Sequence, residues 1–382
     1  MARRRSLVVR GPYRGVSGHD RHVREFVRAL ARQGVRQELV DIPEWGPTRL
    51  PEASREPWFD TLGRPVPAAV VLHFCMPHQV AIHPGRLNVN YTMFEASRIP
   101  REWVAHNRRH DLVLVPTESS RCAWLAAGFP EERIRLCPLG VDAERFRPDA
   151  APLDVADRRG RRVGEYRVRV LNVSEPGPRK NLLALLRVWI ETTAPTDDAI
   201  LVLKVGRYSM SRTIGLMRDL EVAERAIGKS RRESAPILFV DRIFADDEMP
   251  GLFAAATHYW SMSHGEGWDQ PMAEAAATGL GLLAPAHSAY PTYLDDSVAR
   301  MIPSRPIPAA VQGDVGLARL FAGATWWDPD PVEAAAALRE VIDGRDRHMS
   351  ARPRMVARFT WDKAAARLLA VLDELHRRRG PR

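Results

Sequence analysis

Residues 264–279 read HGEGWDQPMAEAAATG, and this stretch joins a glycine-rich turn to a short helix. Gly265 and Gly267 allow the backbone of the turn to adopt positive φ and to lie close to a ligand. Pro271 suits the first turn of a helix, and the alanine-rich run that follows favours helix as far as Gly279. The free amide groups at the start of that helix therefore predict a binding place for a hydroxyl-rich or phosphorylated ligand.

Two carboxylates lie eight residues apart in the same stretch. Glu266 belongs to the turn and Glu274 to the helix. The pair can accept hydrogen bonds from hydroxyl groups at the two ends of such a ligand. The same letters are also consistent with an ordinary alanine-rich helix that ends at a glycine, because short motifs recur by chance.

The combination resembles the donor-binding motif of the retaining GT-B glycosyltransferases of family 4: Glu-x7-Glu, glycine after the first acid, proline five residues after it, and a small-residue helix ending in glycine. In that family the first Glu binds the transferred sugar, the next few residues contact its hydroxyl groups largely through backbone N–H groups, and the second Glu binds the ribose. By position, the resemblance assigns the first role to Glu266 and the last to Glu274. The remaining donor-sugar contacts fall on Gly267, Trp268, Asp269 and Gln270. The family usually has a second glycine in place of Asp269, a departure that concerns which sugar is bound.

The composition is that of a globular protein. With 382 residues, 45% of them hydrophobic, the chain can bury a large core and favours two domains over one. No apolar run approaches 18 residues, and the apolar part of the basic start is too short for a signal peptide. The cysteines are odd in number and lack a C-x-x-C pair, which suits a reducing cytoplasm. We expect buried thiols at Cys75, Cys122 and Cys137.

The formal net charge is +9, and only four of the 56 basic residues are lysine. Arginine is spread along the whole chain and interleaved with acidic residues. This pattern indicates a general bias of composition toward arginine and not a basic stripe that binds nucleic acid. We therefore expect no nucleic-acid partner. The surplus charge can still help to hold an anionic donor or bring the protein to an acidic membrane surface as a peripheral contact.

The start of the chain has the pattern of a Rossmann-like unit. Residues 6–9 form a short apolar run, and the glycine-containing loop GPYRGVSGHD leads into a helical pattern. The loop is not G-x-G-x-x-G, so a dinucleotide is not specifically indicated. In the resembled family this loop reads Gly-Gly and faces the donor phosphates across the cleft, and by position that pair falls on Ser17 and Gly18. A plain strand-to-helix connection stays open for Gly11 and Gly15.

A second departure from the family concerns the first domain. There a strand ends in Thr-x-His, and the His lies close to the reacting sugar, whereas this chain has Thr92, Met93, Phe94 and Glu95. Phe94 takes the His position and cannot form side-chain hydrogen bonds. Glu95 is therefore the candidate for the polar group, orienting the sugar or helping to take the acceptor proton. A role for Glu95 in capping a helix or in an ion pair stays equally open.

The strand, loop and helix pattern recurs at residues 168–191. Arg179 and Lys180 come directly before the helix, where cations can clamp a diphosphate and neutralise charge on a departing phosphate. An adjacent Arg-Lys pair is commonly solvated surface, but its place upstream of the paired acids favours the functional interpretation. In the family an Arg often lies six residues before the Lys. This chain has Ser174 there, so Arg179 is expected to take over.

These assignments give the predicted site. The catalytic candidates are Glu266, Lys180, Arg179 and Glu95. The nucleotide and phosphate candidates are Gly18, Arg179, Lys180 and Glu274.

Two patterns imitate metal sites. His73, His78 and His83 recur at five-residue intervals, a spacing that fits no zinc site on a helix or strand, and we expect a core or loop role. Asp328-Pro329-Asp330 imitates the metal-binding D-x-D of the other glycosyltransferase fold, but it falls beyond the motifs above and we interpret it as a turn. We therefore expect no metal. We also expect no cofactor, because the nucleotide sugar is a co-substrate.

The alternation of strand and helix patterns predicts an α/β protein with parallel sheets covered by helices. The resemblance implies GT-B architecture, in which two Rossmann-like domains face each other across a cleft. We expect an N-terminal acceptor-binding domain at 1–148, a linker at 149–165 and a C-terminal nucleotide-sugar-binding domain at 166–360. A C-terminal helix at 361–382 is expected to pack back on the first domain.

The resemblance also implies the activity: transfer of a sugar from a nucleotide donor to an acceptor hydroxyl, with retention of configuration and no essential metal. The leaving phosphate is thought to help deprotonate the acceptor in that family. A cytoplasmic enzyme of natural-product or polysaccharide and glycoconjugate synthesis is expected, with a small polar or glycan acceptor. A GT-B sugar-nucleotide epimerase and a non-catalytic sugar-nucleotide-binding protein stay open as alternatives.

Overall fold

The computed structural model describes residues 5–42, 45–46, 48–206 and 210–379. Within these ranges the chain forms two compact units. Unit 1 comprises the chain up to Gly140, the segment Ala309–Ala324 and the chain from Arg358 onward, and unit 2 comprises Val141–Pro308 and Thr325–Ala357. The chain therefore leaves unit 2 and re-enters it before it ends in unit 1.

Each unit is built on a six-stranded sheet. The strands of unit 1 are β1 (Ser6–Arg10), β2 (Arg36–Val40), β3 (Val70–Phe74), β4 (Leu87–Tyr91), β5 (Leu112–Val115) and β6 (Ile134–Leu136). The strands of unit 2 are β7 (Val168–Val173), β8 (Ala199–Lys204), β9 (Ile237–Val240), β10 (His258–Trp260), β11 (Gly281–Pro285), β12 (Arg300–Ile302), β13 (Ser304–Pro308) and β14 (Thr325–Pro329).

Both six-stranded sheets are parallel throughout. Their strand orders are β2-β1-β3-β4-β5-β6 and β12-β11-β10-β7-β8-β9, whereas β13 and β14 form a separate antiparallel pair. Parallel neighbours need long crossovers, which the helices supply, and helices on both faces bury the strands on both sides. All five residues of β3, for example, are buried. The predicted α/β class is confirmed.

The helices connect these strands. They are α1 (Gly18–Arg32), α2 (Trp58–Thr61), α3 (Arg101–Asn107), α4 (Glu118–Ala126), α5 (Leu182–Thr192), α6 (Met210–Ile227), α7 (Met249–Ala254), α8 (Gln270–Thr278), α9 (Val315–Leu320), α10 (Pro331–Ile342), α11 (Arg352–Arg358) and α12 (Trp361–Arg379). Within the described part of the chain, none of the helices combines the length and apolarity that crossing a bilayer requires.

Helix α12 packs within unit 1. The indole ring of Trp361 lies 5.3 Å from the ring of Phe26 on α1, and Arg32 forms an ion pair with Asp362 at 2.8 Å. Helix α9 and Phe321, which follows it, also belong to unit 1. Residues 380–382 of the predicted C-terminal helix lie outside the described residues.

Two local expectations are wrong. Cys75 and Cys137 are buried, but Cys122 is exposed because it lies on the outer face of α4. The sequence Asp328-Pro329-Asp330 is not a turn, since Asp328 belongs to strand β14 and Asp330 is the N-cap of α10. The Asp330 carboxylate accepts the backbone N–H of Val332 at 2.8 Å, which is the ordinary work of a capping residue.

Candidate active site

The candidate site of unit 2 lies where three neighbouring parallel strands end. Strands β11, β10 and β7 are adjacent in the sheet, and the loops that follow them contain residues 286–289, 261–269 and 174–181. The carboxyl ends of parallel strands meet at one edge of a sheet, where α/β proteins commonly bind ligands. The segments of the predicted donor motif and of the Arg179-Lys180 pair are therefore brought to the same edge.

Glu266 lies at the centre of this edge and is only 4% exposed. The Lys180 ammonium donates to its Oε1 at 2.5 Å, and Arg179 Nη1 lies 2.9 Å from its Oε2. Ser263 donates its hydroxyl to the same Oε1 at 2.8 Å. Three of the predicted catalytic residues thus form one cluster, although 86 positions separate Lys180 from Glu266.

Hydrogen bonds to main-chain groups connect the loop that contains Arg179 to the loop that contains Glu266. The N–H of His264 donates to the carbonyl of Arg179 at 2.8 Å, and Arg179 Nη1 donates to the carbonyl of Gly265 at 2.6 Å. The N–H of Glu266 donates to Ser288 Oγ at 3.1 Å, which adds the loop after β11. The cluster is therefore held by main-chain geometry as well as by charge, which is what preorganisation of a polar site requires.

The charges around Glu266 determine its ionisation. Burial alone would raise the pKa of this carboxyl, but Arg179 and Lys180 outweigh burial and hold the pKa below its usual range. Burial, together with the negative charge of Glu266, instead raises the pKa of Asp269. At neutral pH Glu266 is therefore an ionised hydrogen-bond acceptor and a poor base.

Residues 267–270 connect Glu266 to helix α8. Trp268 is 1% exposed, and its ring lies 5.0 Å from that of Tyr293. Asp269 is buried as well, and its carboxylate accepts the hydroxyl of Tyr290 at 2.8 Å. The side chains of Trp268 and Asp269 are thus used in packing and capping, which leaves backbone groups for a ligand.

Asp269 has a left-handed backbone, with φ 59° and ψ 75°. Glycine adopts this conformation readily, and aspartate is among the few other residues that tolerate it. The structure therefore gives a physical reason why Asp269 can stand where the resembled family usually has glycine. Gly279 is also left-handed, with φ 88°, and ends α8 as its sequence predicts.

Glu274 lies in the second turn of α8 and is 1% exposed. Its charge acts on the same neighbouring group, Tyr259, as the charges of Glu266 and Asp269. Burial, followed by the charges of Asp269, Glu266 and Glu274, raises the pKa of Tyr259 well above its usual range. The neutral Tyr259 hydroxyl lies 3.3 Å from both the N–H and the carbonyl of Val173 at the end of β7.

Gly18 and Glu95 belong to unit 1. Gly18 is the first residue of α1, directly after the N-cap Ser17, and a Cβ built on it would meet no atom within 4 Å. At Gly15 a Cβ would lie 2.7 Å from the Asp20 carboxylate, which would have to move to make room for it. The open space at Gly18 leaves the start of the helix accessible, while the role of this residue stays a prediction.

Phe94 stands where the resembled family has His, and its surroundings give a structural reason for the difference. It is fully buried, with its ring 5.5 Å from that of Trp103 and 5.4 Å from that of Phe321. Its backbone N–H donates to Ser120 Oγ at 3.2 Å. Phe94 is thus a core residue of unit 1, and the partly exposed Glu95 follows it. The assignment of Glu95 to the acceptor stays a prediction.

No sequence pattern indicates several of the supporting residues. Ser263, Ser288 and Tyr290 hold Glu266 and Asp269, but no spacing rule pointed to them. A weak signal existed in Ser261 and Ser263, which alternate directly after strand β10 and so continue onto the edge where ligands bind. Among the described residues, no group of three or more His, Cys, Asp or Glu is arranged to hold a metal ion.

No family model matches this chain, and no curated protein matches it. Solved structures do. HepE from Anabaena, in complex with UDP and glucose, is 12% identical over 97% of this chain and 100% of that chain, with a TM-score of 0.63. Sucrose-phosphate synthase from Thermosynechococcus elongatus is 15% identical over 98% of this chain and 99% of that chain, with a TM-score of 0.65.

A glycosyltransferase from Rickettsia africae is 11% identical over 98% of this chain and 99% of that chain, with a TM-score of 0.59. At such identities the similarity establishes the fold alone, because one fold hosts many activities. The predicted GT-B fold, with two Rossmann-like units built on parallel sheets, is confirmed.

Proposed function

We propose that this protein is a glycosyltransferase that moves a sugar from a nucleotide-sugar donor to an acceptor hydroxyl. The observation that carries the proposal is the buried Glu266 carboxylate between Lys180 and Arg179, at the ligand-binding edge of a parallel sheet. The fold supports it, because HepE has been solved with UDP-glucose and shares this architecture. Cations bind a diphosphate, and a fixed carboxylate accepts hydrogen bonds from sugar hydroxyls.

The roles of the individual residues follow from their chemistry. Arg179 and Lys180 would hold the diphosphate and stabilise the charge that develops on the leaving phosphate. Glu266 would accept a hydrogen bond from the sugar, and Glu274 would bind the ribose. Amide groups of residues 267–270 would contact the sugar, because the side chains of Trp268 and Asp269 are occupied within the protein.

We further propose that transfer retains the anomeric configuration and needs no metal ion. The lowered pKa of Glu266 argues against proton abstraction or covalent attack by this carboxylate, because a carboxylate paired with two cations is a weak base and a weak nucleophile. The departing phosphate would then help to deprotonate the acceptor. Gly18 and Glu95 are proposed to serve the donor phosphates and the acceptor, and the acceptor is proposed to be a small polar molecule or a glycan in the cytoplasm.

A thermal-shift screen with UDP-, GDP-, ADP- and dTDP-sugars tests this function. A ligand at one hundred times its Kd stabilises the folded state by about 2.7 kcal/mol, so at least one donor should raise the melting temperature by roughly 5 °C or more. Lys180→Met should abolish most of this shift. Lys363→Met, at an exposed position of α12, should retain it.

Turnover assays then separate the classes of function. Release of nucleotide that depends on an added acceptor supports transfer, and product analysis reads the configuration. Isomerisation of the donor alone would instead identify an epimerase. The proposal fails if no nucleotide sugar stabilises the protein, or if the Lys180→Met variant binds the donor as tightly as the wild type does.

A further inference from the structure

The described residues contain three non-glycine residues with positive φ, and all three lie at the candidate site of unit 2. They are Asn181 (φ 50°), Asp269 (φ 59°) and Ser288 (φ 49°). They occur in the loops that follow β7, β10 and β11. A left-handed backbone is disfavoured for residues with a Cβ and persists only where the surroundings impose it.

Each of these three residues is connected to Glu266, either by its place in the chain or by a hydrogen bond. Asn181 directly follows Lys180, which donates to Glu266. The hydroxyl of Ser288 accepts the N–H of Glu266 at 3.1 Å. Asp269 lies three residues after Glu266 and begins helix α8 as its N-cap. Such a concentration of unfavourable backbone at one edge of one sheet indicates a conformation that is kept for function.

Asp269 is the most firmly held of the three. Its Oδ2 accepts the hydroxyl of Tyr290 at 2.8 Å, and the Tyr290 oxygen lies 2.8 Å from Ser261 Oγ. Its Oδ1 accepts the N–H of Met272 at 3.4 Å in the first turn of α8. The hydroxyl of Tyr293 donates to the carbonyl of Trp268 at 2.9 Å, which fixes the preceding peptide. Buried groups thus engage both carboxylate oxygens.

We propose that Asp269 is a positioning residue for donor binding, an inference that rests on the proposed function. Its left-handed backbone directs the amide groups of residues 267–270 toward the donor sugar. Its carboxylate anchors that turn to Tyr290 and α8 and does not itself contact the sugar. A glycine can adopt the same backbone without strain, whereas an alanine removes the anchor and keeps the unfavourable Cβ.

Asp269 can act through a contact of its carboxylate with the sugar or through its backbone conformation. The two roles predict different rankings of activity among the Asp269 variants. If the carboxylate contacts the sugar, Asp269→Gly and Asp269→Ala lose the same contact and the same activity. If the backbone conformation matters, Asp269→Gly is the more active variant although it has the smaller side chain. Asp269→Asn is expected to rescue as well, because asparagine tolerates this conformation and its carbonyl oxygen can accept the Tyr290 hydroxyl.

Gly228→Ala is the matched control. Gly228 lies in unit 2 directly after α6, has φ 69°, and a Cβ built on it meets no atom within 4 Å. The substitution therefore places a Cβ on a left-handed residue without a clash. It adds the strain of a left-handed Cβ, and so a loss of stability, at a position that the proposed site does not use.

The experiment measures melting temperature, the kcat/KM for UDP-glucose or the best donor of the thermal-shift screen, and amide hydrogen exchange of residues 263–272 without ligand. Asp269→Ala and Gly228→Ala are both expected to lower the melting temperature. Asp269→Ala alone is expected to lower kcat/KM at least tenfold and to speed exchange in residues 263–272. Asp269→Gly and Asp269→Asn are each expected to be at least fivefold more active than Asp269→Ala.

The inference is overturned if Asp269→Gly is as inactive as Asp269→Ala, or if exchange in residues 263–272 is unchanged by Asp269→Ala. Should Asp269→Ala fail to fold, inactivity of both folded rescue variants would overturn it equally. A wild type that turns over no nucleotide sugar would refute the proposed function instead. The exchange measurement, which uses no ligand, would still decide whether Asp269 orders the turn.

Discussion

Replacing Glu266 with glutamine is expected to lower turnover of the true donor and acceptor more than tenfold, a loss of transition-state stabilisation of about 1.4 kcal/mol or more. Glutamine keeps the size of the side chain but removes the negative charge with which both Lys180 and Arg179 form ion pairs. It also turns one acceptor oxygen into a donor group, which faces the Lys180 ammonium unfavourably. Steady-state kinetics with the donor identified by the thermal-shift screen measure the effect.

The same substitution should separate turnover from binding of the nucleotide alone. In the wild type the Glu266 carboxylate neutralises part of the positive charge of Arg179 and Lys180, whose side chains are 25% and 18% exposed. Removal of that negative charge leaves the cations more attractive to a free nucleoside diphosphate. Isothermal titration is therefore expected to show diphosphate binding that is unchanged or tighter, while turnover falls.

Glu224→Gln controls for the loss of a partly buried ion pair. Glu224 belongs to unit 2, its side chain is 12% exposed, and it accepts two hydrogen bonds from the Arg231 guanidinium at 2.9 Å. This variant is expected to lose stability and to keep wild-type turnover. The site assignment would be wrong if Glu266→Gln retained full turnover, or if both variants lost activity in proportion to their stability.

Mild acid is expected to unfold unit 1 before unit 2. Burial lowers the pKa of His73 to about 3 and that of His110 to about 4, and it lowers the pKa of His22 well below its usual range. Below about pH 6.5 the unfolded chain binds a proton at each of these histidines while the folded unit does not. The three together remove about 4 kcal/mol of stability per pH unit between about pH 5.5 and pH 4.5, where the unfolded histidines are protonated and the folded ones are not.

Unit 2 is expected to resist this acid range better. Burial lowers the pKa of His287 to about 3 and also lowers that of His264, so these two histidines favour the unfolded chain in acid. The lowered pKa of Glu266 acts in the same direction only below about pH 4.5, where the unfolded carboxyl takes up its proton. The pKa of Asp269 is raised by burial and by Glu266, and a raised carboxyl pKa acts in the opposite direction, because the folded state then takes up the proton first. Since domains are typically stable by about 5 to 15 kcal/mol, the difference is large enough for the two units to unfold in separate thermal transitions in acid.

Calorimetry and circular dichroism between pH 7.5 and 4.5 test this expectation, and His22→Phe tests its cause. The His22 ring lies among aromatic side chains and has no hydrogen-bond partner among the described residues. Phenylalanine at this place should raise the melting temperature and reduce the acid slope by about 1.4 kcal/mol per pH unit. His376→Gln, at an exposed position of α12, should change neither. A wild type equally stable at pH 7 and pH 5 would contradict the prediction.

Local signals carried the prediction of fold class. Short runs such as Val70–Phe74, apolar except for His73, alternate with amphipathic helical patterns, and a chain with that alternation can bury its strands in parallel sheets covered by helices. Helix ends were also readable, because a residue such as Gly279 has a local reason to end a helix. The face of a helix that meets solvent is less local, and Cys122 was misassigned for that reason.

The segment Ala309–Ala324 shows what local signals leave out. It interrupts the antiparallel pair of β13 and β14 in unit 2, yet it belongs to unit 1, where Phe321 packs on Phe94. Neither the sequence around Phe321 nor that around Phe94 specifies that these two rings pack together. A buried aromatic ring gains nearly the same free energy against any apolar surface, so only the assembled fold selects the contact.

By itself the sequence determined the α/β class, most helix and strand positions, and the residue types that a nucleotide-sugar site would need. Tertiary structure alone decided that Lys180 and Glu266 meet, because their contact depends on β7 and β10 being neighbours in the sheet. It also decided that the Asp269 carboxylate accepts the hydroxyl of Tyr290, a residue 21 positions away in the sequence. Periodicity and capping act over a few residues, whereas these two features depend on groups that the chain brings together only when it folds.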